Sequence, residues 1–427
     1  MIFYLFYFLL SPLLFLLIHF LKFFNKKIKD HIKHENKSLN NVLDMLSSVN
    51  RNEKKVIIFH AASAGEFEQL KPMLQKIKRE KYFVIQSFTS PTIYNKESTN
   101  DLFDISCYHP YDLWWKSYKF FSKIRPKAYI ITRQDFWPAH LFIANRLKIK
   151  IFYVNANLHN KSIWIKPFIK QFSKTIFKNL FLCLVPSKNI YTKFSQIIDT
   201  NKLVITGDSR FDQVIERAQK SNRVNYLPEN YSQSFNIIFG SYDRYDEKYI
   251  LYALKKMYID GDHMLEKLNH RIILVPHEID TKTISRIKNS LNSLGFTYNL
   301  YSKLDKDSNK SRVLIVNQVG ILADIYKVCK LAYVGSGFSD GVHSVIEPGV
   351  HGCAVGFGPN IELLDEAKSI YKKNLGIMIK NKNEMLSFLN LFNQKEVLDK
   401  LGNDIKKYIM SKSNASQKTI SIIEKEI

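Results

Sequence analysis

The sequence predicts an α/β protein: two Rossmann-like domains facing a cleft, preceded by an N-terminal membrane-anchor helix. Three observations carry that reading. Apolar runs of strand length alternate with helical spacings in two successive series, as parallel sheets covered by helices require. A polar stretch near 216–234, with Pro228 and no apolar periodicity, separates the series. The segment 1–21 is apolar apart from Ser11, Pro12 and His19. The implied division is an anchor at 1–22, a juxtamembrane linker at 23–53, a first domain at 54–215 and a second at 235–427.

About 20 apolar residues span a bilayer as a helix. Lys22, Lys26, Lys27, Lys29 and Lys33 follow the apolar run at once. No charged segment precedes that run and no small-x-small site ends it, which argues against a removable signal. The basic flank places the rest of the chain at the cytoplasmic face of a membrane. The other reading is an in-plane anchor broken near Pro12, at the same face. No second apolar run approaches spanning length.

The 427 residues fit two to three domains. Lys and Arg outnumber Asp and Glu by 63 to 39, a net charge of +24 that points to an anionic partner such as a membrane surface or a phosphorylated substrate. No aromatic-basic motif suggests nucleic acid. Cys107, Cys183, Cys329 and Cys353 are far apart, with no C-x-x-C pair and no zinc-like spacing, so no metal site and no cofactor are expected. A reducing compartment fits them.

The first series has candidate strands at 56–60, 83–88, 128–132, 149–155, 181–186 and 203–207, with helices near 114–124 and 138–147. The second has strands at 235–239, 271–275, 313–317, 331–334 and 354–357, and a surface loop at 301–312. Ligands bind at the carboxyl ends of such strands, so the chemistry is sought there. His60-Ala61-Ala62-Ser63-Ala64-Gly65-Glu66 leaves the first strand and enters a helix, setting Glu66 at the tip of the turn. That carboxylate can serve as a general base for a sugar hydroxyl or simply support the helix N-terminus. Arg133 and Asp135 end a later strand: Asp135 reads as a second acid, and Arg133 pairs with it or with an anionic substrate. Arg210 can reach a phosphate. An interdomain salt-bridge network would account for both sites equally well.

In the second series Ser241 ends the first strand, where it bonds a phosphate or acts as an ordinary cap. His277 can donate to a phosphoryl oxygen or be structural. Gly335, Ser336 and Gly337 follow a strand, and His343, Ser344 and Glu347 come next, all within 13 residues. Small residues there let the backbone approach a ligand, and amides at the next helix start can bind an anion. Glu347 can accept bonds from ribose hydroxyls; the alternative is a glycine-rich turn with a capping Glu. Residues 356–360 form another tight loop.

Two α/β halves joined by a linker are the architecture of GT-B glycosyltransferases, among other proteins. The motifs in order resemble those of the Kdo (3-deoxy-D-manno-octulosonic acid) transferases of lipopolysaccharide synthesis. Ala62-Ser63-Ala64-Gly65-Glu66 matches the small-Ser-x-Gly-Glu turn, Ser87-Phe88-Thr89-Ser90-Pro91-Thr92 the Ser/Thr-rich strand end, and His109-Pro110-Tyr111-Asp112 the Pro-x-Asp element. Asp135-Phe136-Trp137-Pro138, the run Gly207 to Asp212, Pro276-His277-Glu278 and the loop Gly335 to Gly349 match the rest. The likeness covers about residues 56 to 370. It implies a GT-B fold, a CMP-Kdo donor, a phosphorylated lipid A precursor as acceptor, and inversion without a metal. On it Glu66 is the base and Asp135 a second acid. Ser241, His277, Gly335, Ser336, Gly337, His343, Ser344 and Glu347 hold the donor, with helix-start amides near Ser241 and His277 on its phosphate. Ser63, Arg133 and Arg210 contact the acceptor or its phosphates. Arg133 stands where the family has the first of two acids, Gly341-Val342-His343-Ser344 replaces Gly-Gly-His-Asn, and an arginine often beside the donor histidine is absent. The alternatives are a GT-B enzyme using another nucleotide sugar on a lipid, or a non-catalytic basic protein bound to membranes.

Overall fold

The computed structural model describes residues 2–133, 136–159, 162–220, 227–304 and 311–427. It forms two compact units, one of Met1–Gln213 with Asn414–Ile427 and one of Val214–Ser413.

In the first unit seven parallel strands are β1 Lys55–Ala61, β2 Tyr82–Phe88, β3 Ile105–Tyr108, β4 Ala128–Thr132, β5 Lys150–Val154, β6 Leu182–Val185 and β7 Leu203–Ile205. Their order is β3-β2-β1-β4-β5-β6-β7. The apolar runs are continuous because both faces are covered. Val56 and Ile58 enter one core with Ile85 and Tyr129, while Ile57 and Phe59 enter the other with Val84 and Ile130. The strand order reverses between β1 and β4, and that switch point opens a crevice at the strands' carboxyl ends.

The second unit repeats the scheme with β8 Phe235–Tyr242, β9 His270–Pro276, β10 Tyr298–Leu300, β11 Val313–Ile315, β12 Leu331–Val334, β13 Ala354–Phe357 and β14 Ile377–Met378. Their order is β10-β11-β9-β8-β12-β13-β14, so the switch point lies between β8 and β12. Ile237 and Phe239 face one core, Ile238 the other. The strands absent from the sequence reading are β3, β10 and β14, each short and at a sheet edge.

The segment 23–53, expected as a juxtamembrane helix plus linker, contributes to the first unit's core. The helix Lys26–Ser47 buries His31, Glu35, Ser38, Leu39, Val42 and Leu46 along one face. Its last three apolar members complete the first unit's core. The sequence boundary at 427 also shifts. The helix Ala415–Glu426 buries Ile420 and Ile423 in the first unit's core, and the Asp212 carboxylate accepts from the amides of Asn414 and Ser416, both at 2.6 Å. Ile420→Ala should therefore destabilise the first unit by about 2–5 kcal/mol, read as a lower denaturant midpoint for probes in that unit. Of the separating stretch near 216–234, residues 221–226 lie outside the described residues, as do 305–310 of the loop at 301–312.

The helix Ile2–Leu21 runs unbroken through Pro12. Among the described residues it is the one helix long and apolar enough to cross a membrane, with a mean hydropathy of 2.1 over Phe3–Leu21. One face lies on the first unit: Phe3 meets Phe172 edge-on at 4.0 Å, Tyr4 packs on Phe142 at 4.4 Å, and the Tyr7 hydroxyl donates to Asp112 at 2.5 Å. Leu5, Phe6, Leu9, Leu13 and Leu16 on the other face are exposed.

Candidate functional site

The turn after β1 is fixed by a capping box. Ser63 is the N-cap of the helix Ala64–Leu74 and accepts from the Glu66 amide. Glu66 Oε2 accepts from the amides of Ala62 (2.7 Å) and Ser63 (3.0 Å). Glu66 thus supports the helix start and stands, half-buried, at the switch-point end of β1. The space beside Gly65 is open.

Across the switch point, β4 is followed at once by Arg133, which sits in the left-handed region (φ 61°) with its carbonyl accepting from the Tyr153 hydroxyl. A non-glycine residue there stores strain of a kind that gathers at functional sites. Its guanidinium donates to Gln69 Oε1 at 2.6 Å and lies 3.6 Å from Asp208. Arg210 approaches the same carboxylate at 3.3 Å, and its amide donates to it at 2.9 Å. Burial pushes the Asp208 carboxyl up, but Arg210 and Arg133 outweigh it and hold it below its ordinary value. Two guanidiniums share this one carboxylate, which leaves the trio with a surplus positive charge. These ion pairs lie inside the first unit. Asp135, the other expected partner, lies outside the described residues.

Sequence reasoning missed Gln69, Asn155, Asp208 and Ser209. Asn155, also left-handed (φ 49°), exchanges two bonds with Ser209, whose hydroxyl also donates to the Gln69 carbonyl at 2.6 Å. These bonds stitch the Glu66 helix to the start of the helix Ser209–Lys220, which carries Arg210. The available signal was a polar residue directly after an apolar strand.

In the second unit β8 is bulged at its end, and Ser241 takes φ 50°. The ordinary-cap reading of Ser241 fails: Asp243 is the N-cap of the helix Arg244–Met257. Asp243 Oδ1 accepts from the amides of Tyr245 (2.7 Å) and Asp246 (3.2 Å), and Asp246 Oδ2 accepts from the Asp243 amide at 2.9 Å. The amides expected to meet a donor phosphate there already meet carboxylates, so that part of the expectation is withdrawn.

The loop after β12 packs against this turn. A Cβ on Gly335 would lie 2.2 Å from Tyr242 Cα, and one on Gly337 would lie 2.6 Å from Gly358 Cα. Glycine is needed at both positions for backbone to meet backbone, a reason internal to the protein. Ser336, buried with φ 63°, mirrors Ser241 across the switch point. The loop is closed by bonds from the Gly341 amide to Ser336 (3.0 Å) and from the Asn360 amide to Gly337 (2.9 Å). His343 follows, and its ring stacks on His277 from the end of β9, with centroids 4.8 Å apart. Burial and then the neighbouring His277 lower the His343 pKa, which favours its neutral form. Ser344 and Glu347 are half-buried beyond it, Glu347 on the first turn of the short helix Ile346–Val350. Among the described residues no three or more His, Cys, Asp or Glu side chains gather as metal ligands.

Asp246 itself is buried, and burial pushes its carboxyl up to about 6 from 3.8 despite bonds from the Asp243 amide, the Tyr333 hydroxyl and the Ser336 amide. The native state holds this proton more tightly than the unfolded chain does. Its contribution to stability therefore falls as pH rises from about 4 to about 6. A shift of that size corresponds to about 3 kcal/mol. Asp246→Asn should raise the melting temperature at pH 8 and leave it nearly unchanged at pH 4.

Residues 37–213 match the 3-deoxy-D-manno-octulosonic-acid transferase (kdotransferase) family. The chain is 26% identical over 343 residues to the 3-deoxy-D-manno-octulosonic acid transferase of Aquifex aeolicus, covering 79% of this chain and 86% of that one. It is 24% identical over 389 residues to the transferase of the same name from Chlamydia muridarum, covering 88% and 87%. Its fold is similar to that of the UDP-GlcNAc 2-epimerase of Neisseria meningitidis, with a TM-score of 0.61 at 14% identity over 87% of this chain and all of that one. It is also similar to a glycosyltransferase from Rickettsia africae, with a TM-score of 0.59 at 12% identity over 87% and 98%. The two parallel sheets are those of a GT-B fold. The family match lies within the first unit, and the likeness to relatives named 3-deoxy-D-manno-octulosonic acid transferase, at 24–26% identity, extends over most of the chain, so the chain is similar to the Kdo transferases in both units.

Proposed function

We propose that this glycosyltransferase moves Kdo from CMP-Kdo to a phosphorylated, lipid IVA-like lipid A precursor, with the first unit as acceptor domain and the second as donor domain. The observation that carries the reading is that both sheets bring their candidate residues to the switch point: Glu66, Arg133 and Arg210 in one, Ser241, Ser336 and the His277–His343 pair in the other.

On this reading Glu66 takes the proton of the acceptor hydroxyl as its oxygen attacks the anomeric carbon. The C–O bond to the CMP phosphate breaks on the opposite face, so the configuration inverts. His277 and His343 face the departing phosphate, Ser241 and Ser344 supply hydroxyl donors, and Ser336 holds the loop that lines the donor. Glu347 accepts from the ribose, and Gly335 and Gly337 keep the loop in shape. Aimed donors of this sort are commonly the largest catalytic contribution. The paired guanidiniums of Arg133 and Arg210 on Asp208 suit an acceptor phosphate, and Ser63 is proposed to contact the acceptor as well. Asp135 keeps its reading as a second acid. Here the charge on the leaving group is met by side chains, without a metal.

The exposed face of the helix Ile2–Leu21 and the net charge of +24 favour attachment to the anionic, cytoplasmic face of the inner membrane. A donor panel in the presence of EDTA tests the whole reading. Turnover of CMP-Kdo is expected, whereas turnover confined to UDP-sugars would overturn it.

A further inference from the structure

The loop after β12 is held from below by two carboxylates of the neighbouring helix. Asp246, buried, accepts from the Ser336 amide through Oδ2 at 2.7 Å and from the Tyr333 hydroxyl through Oδ1 at 2.7 Å. Asp243 accepts from the Ser339 hydroxyl. Ser336 also donates through Oγ to the Ser241 carbonyl at 3.3 Å, and Phe338 stacks on Tyr249 of the same helix with centroids 3.9 Å apart. Ser241 and Ser336 both keep left-handed backbone, a conformation that persists only where surrounding bonds enforce it. The Oδ2 atom that takes the Ser336 amide also takes the Asp243 amide, so one atom ties the two strand-end loops together.

We propose that Asp246, seconded by Asp243, is a positioning residue that locks the 335–341 loop against the 241–243 turn in its donor-binding shape. The inference rests on the donor reading of the second unit and deepens it. Asp246 touches no substrate in this scheme: it acts through the Ser336 amide and the Ser241 carbonyl.

The test compares D246A and D246N with the wild-type full-length protein. Asparagine keeps an oxygen for the two amides and turns its NH2 toward the Tyr333 hydroxyl, which can accept. Alanine removes both sets of bonds. Two readouts are taken: amide hydrogen exchange over 331–345, and the KM for CMP-Kdo separately from kcat. D246A should speed exchange in that segment and raise the donor KM at least tenfold with a smaller change in kcat. D246N should restore both to within twofold of wild type. If D246A does not fold, D246S carries the comparison. Unchanged exchange in the alanine variant would overturn the lock, and faster exchange with an unchanged KM would overturn its role in donor binding. A wild type that does not turn over CMP-Kdo would overturn the donor reading, and with it what the lock is said to position, while exchange still reports whether the lock exists.

Discussion

Glu66→Gln is expected to lower kcat for sugar transfer by about 10²- to 10⁴-fold, the range a positioned general base supplies, with little change in melting temperature. The substitution separates two duties of one side chain. The glutamine oxygen can still accept from the Ala62 and Ser63 amides, so the capping box survives. What would be lost is the carboxylate proposed as the base for the acceptor hydroxyl. Glu66→Ala removes both and should add about 1 kcal/mol of destabilisation for the lost cap. A glutamine variant with wild-type kcat would leave Glu66 a cap and nothing more.

The second large effect is expected at Gly335. An alanine there would set its Cβ 2.2 Å from Tyr242 Cα and 2.6 Å from both the Ser241 carbonyl oxygen and the Tyr242 amide nitrogen. These are backbone atoms of a strand end, so no side chain can swing aside. Overpacking of this kind costs about 3 kcal/mol or more, and relief requires the two loops of the second unit to part. Gly335→Ala should therefore lower the denaturant midpoint sharply and weaken donor binding in whatever fraction still folds. Gly65→Ala is the control, because nothing lies within 4 Å of that position and alanine is favoured in a helix. Its stability should be unchanged or slightly higher. Equal stability of the two variants would contradict the packing described.

The same features explain what could be read in advance. Central strands such as β1 and β8 are apolar on both faces, so they announce themselves as unbroken runs. The two-residue β14 carries no such run. The juxtamembrane helix is legible, but the packing of Lys26–Ser47 into the first unit is not, because its buried stripe includes His31, Glu35 and Ser38 among lysines and asparagines. Nothing local marks the return of Ala415–Glu426 to the first unit, since its anchor is Asp212, some 200 residues away, 204 for the Ser416 amide. The cap at Asp243 was legible: an acid followed three residues later by another is a capping-box spacing, and Ser241 drew the eye instead. Gly335 is expected from the sequence to let the backbone approach a ligand, whereas the backbone it admits is that of Tyr242. Asp208 and Arg210 are near neighbours in sequence, but Arg133 reaches Asp208 only through the sheet order, so the shared carboxylate could not be read from spacing.

The most direct test is transfer from CMP-Kdo, generated in situ, to a lipid A precursor in detergent, with the full-length wild type beside Glu66→Gln and without added metal. Mass spectrometry reads the acceptor. The predicted result is a Kdo-bearing product from the wild type and almost none from the variant. A folded wild type that leaves the acceptor unmodified with CMP-Kdo, but glycosylates it from another nucleotide sugar, would contradict the proposed reaction.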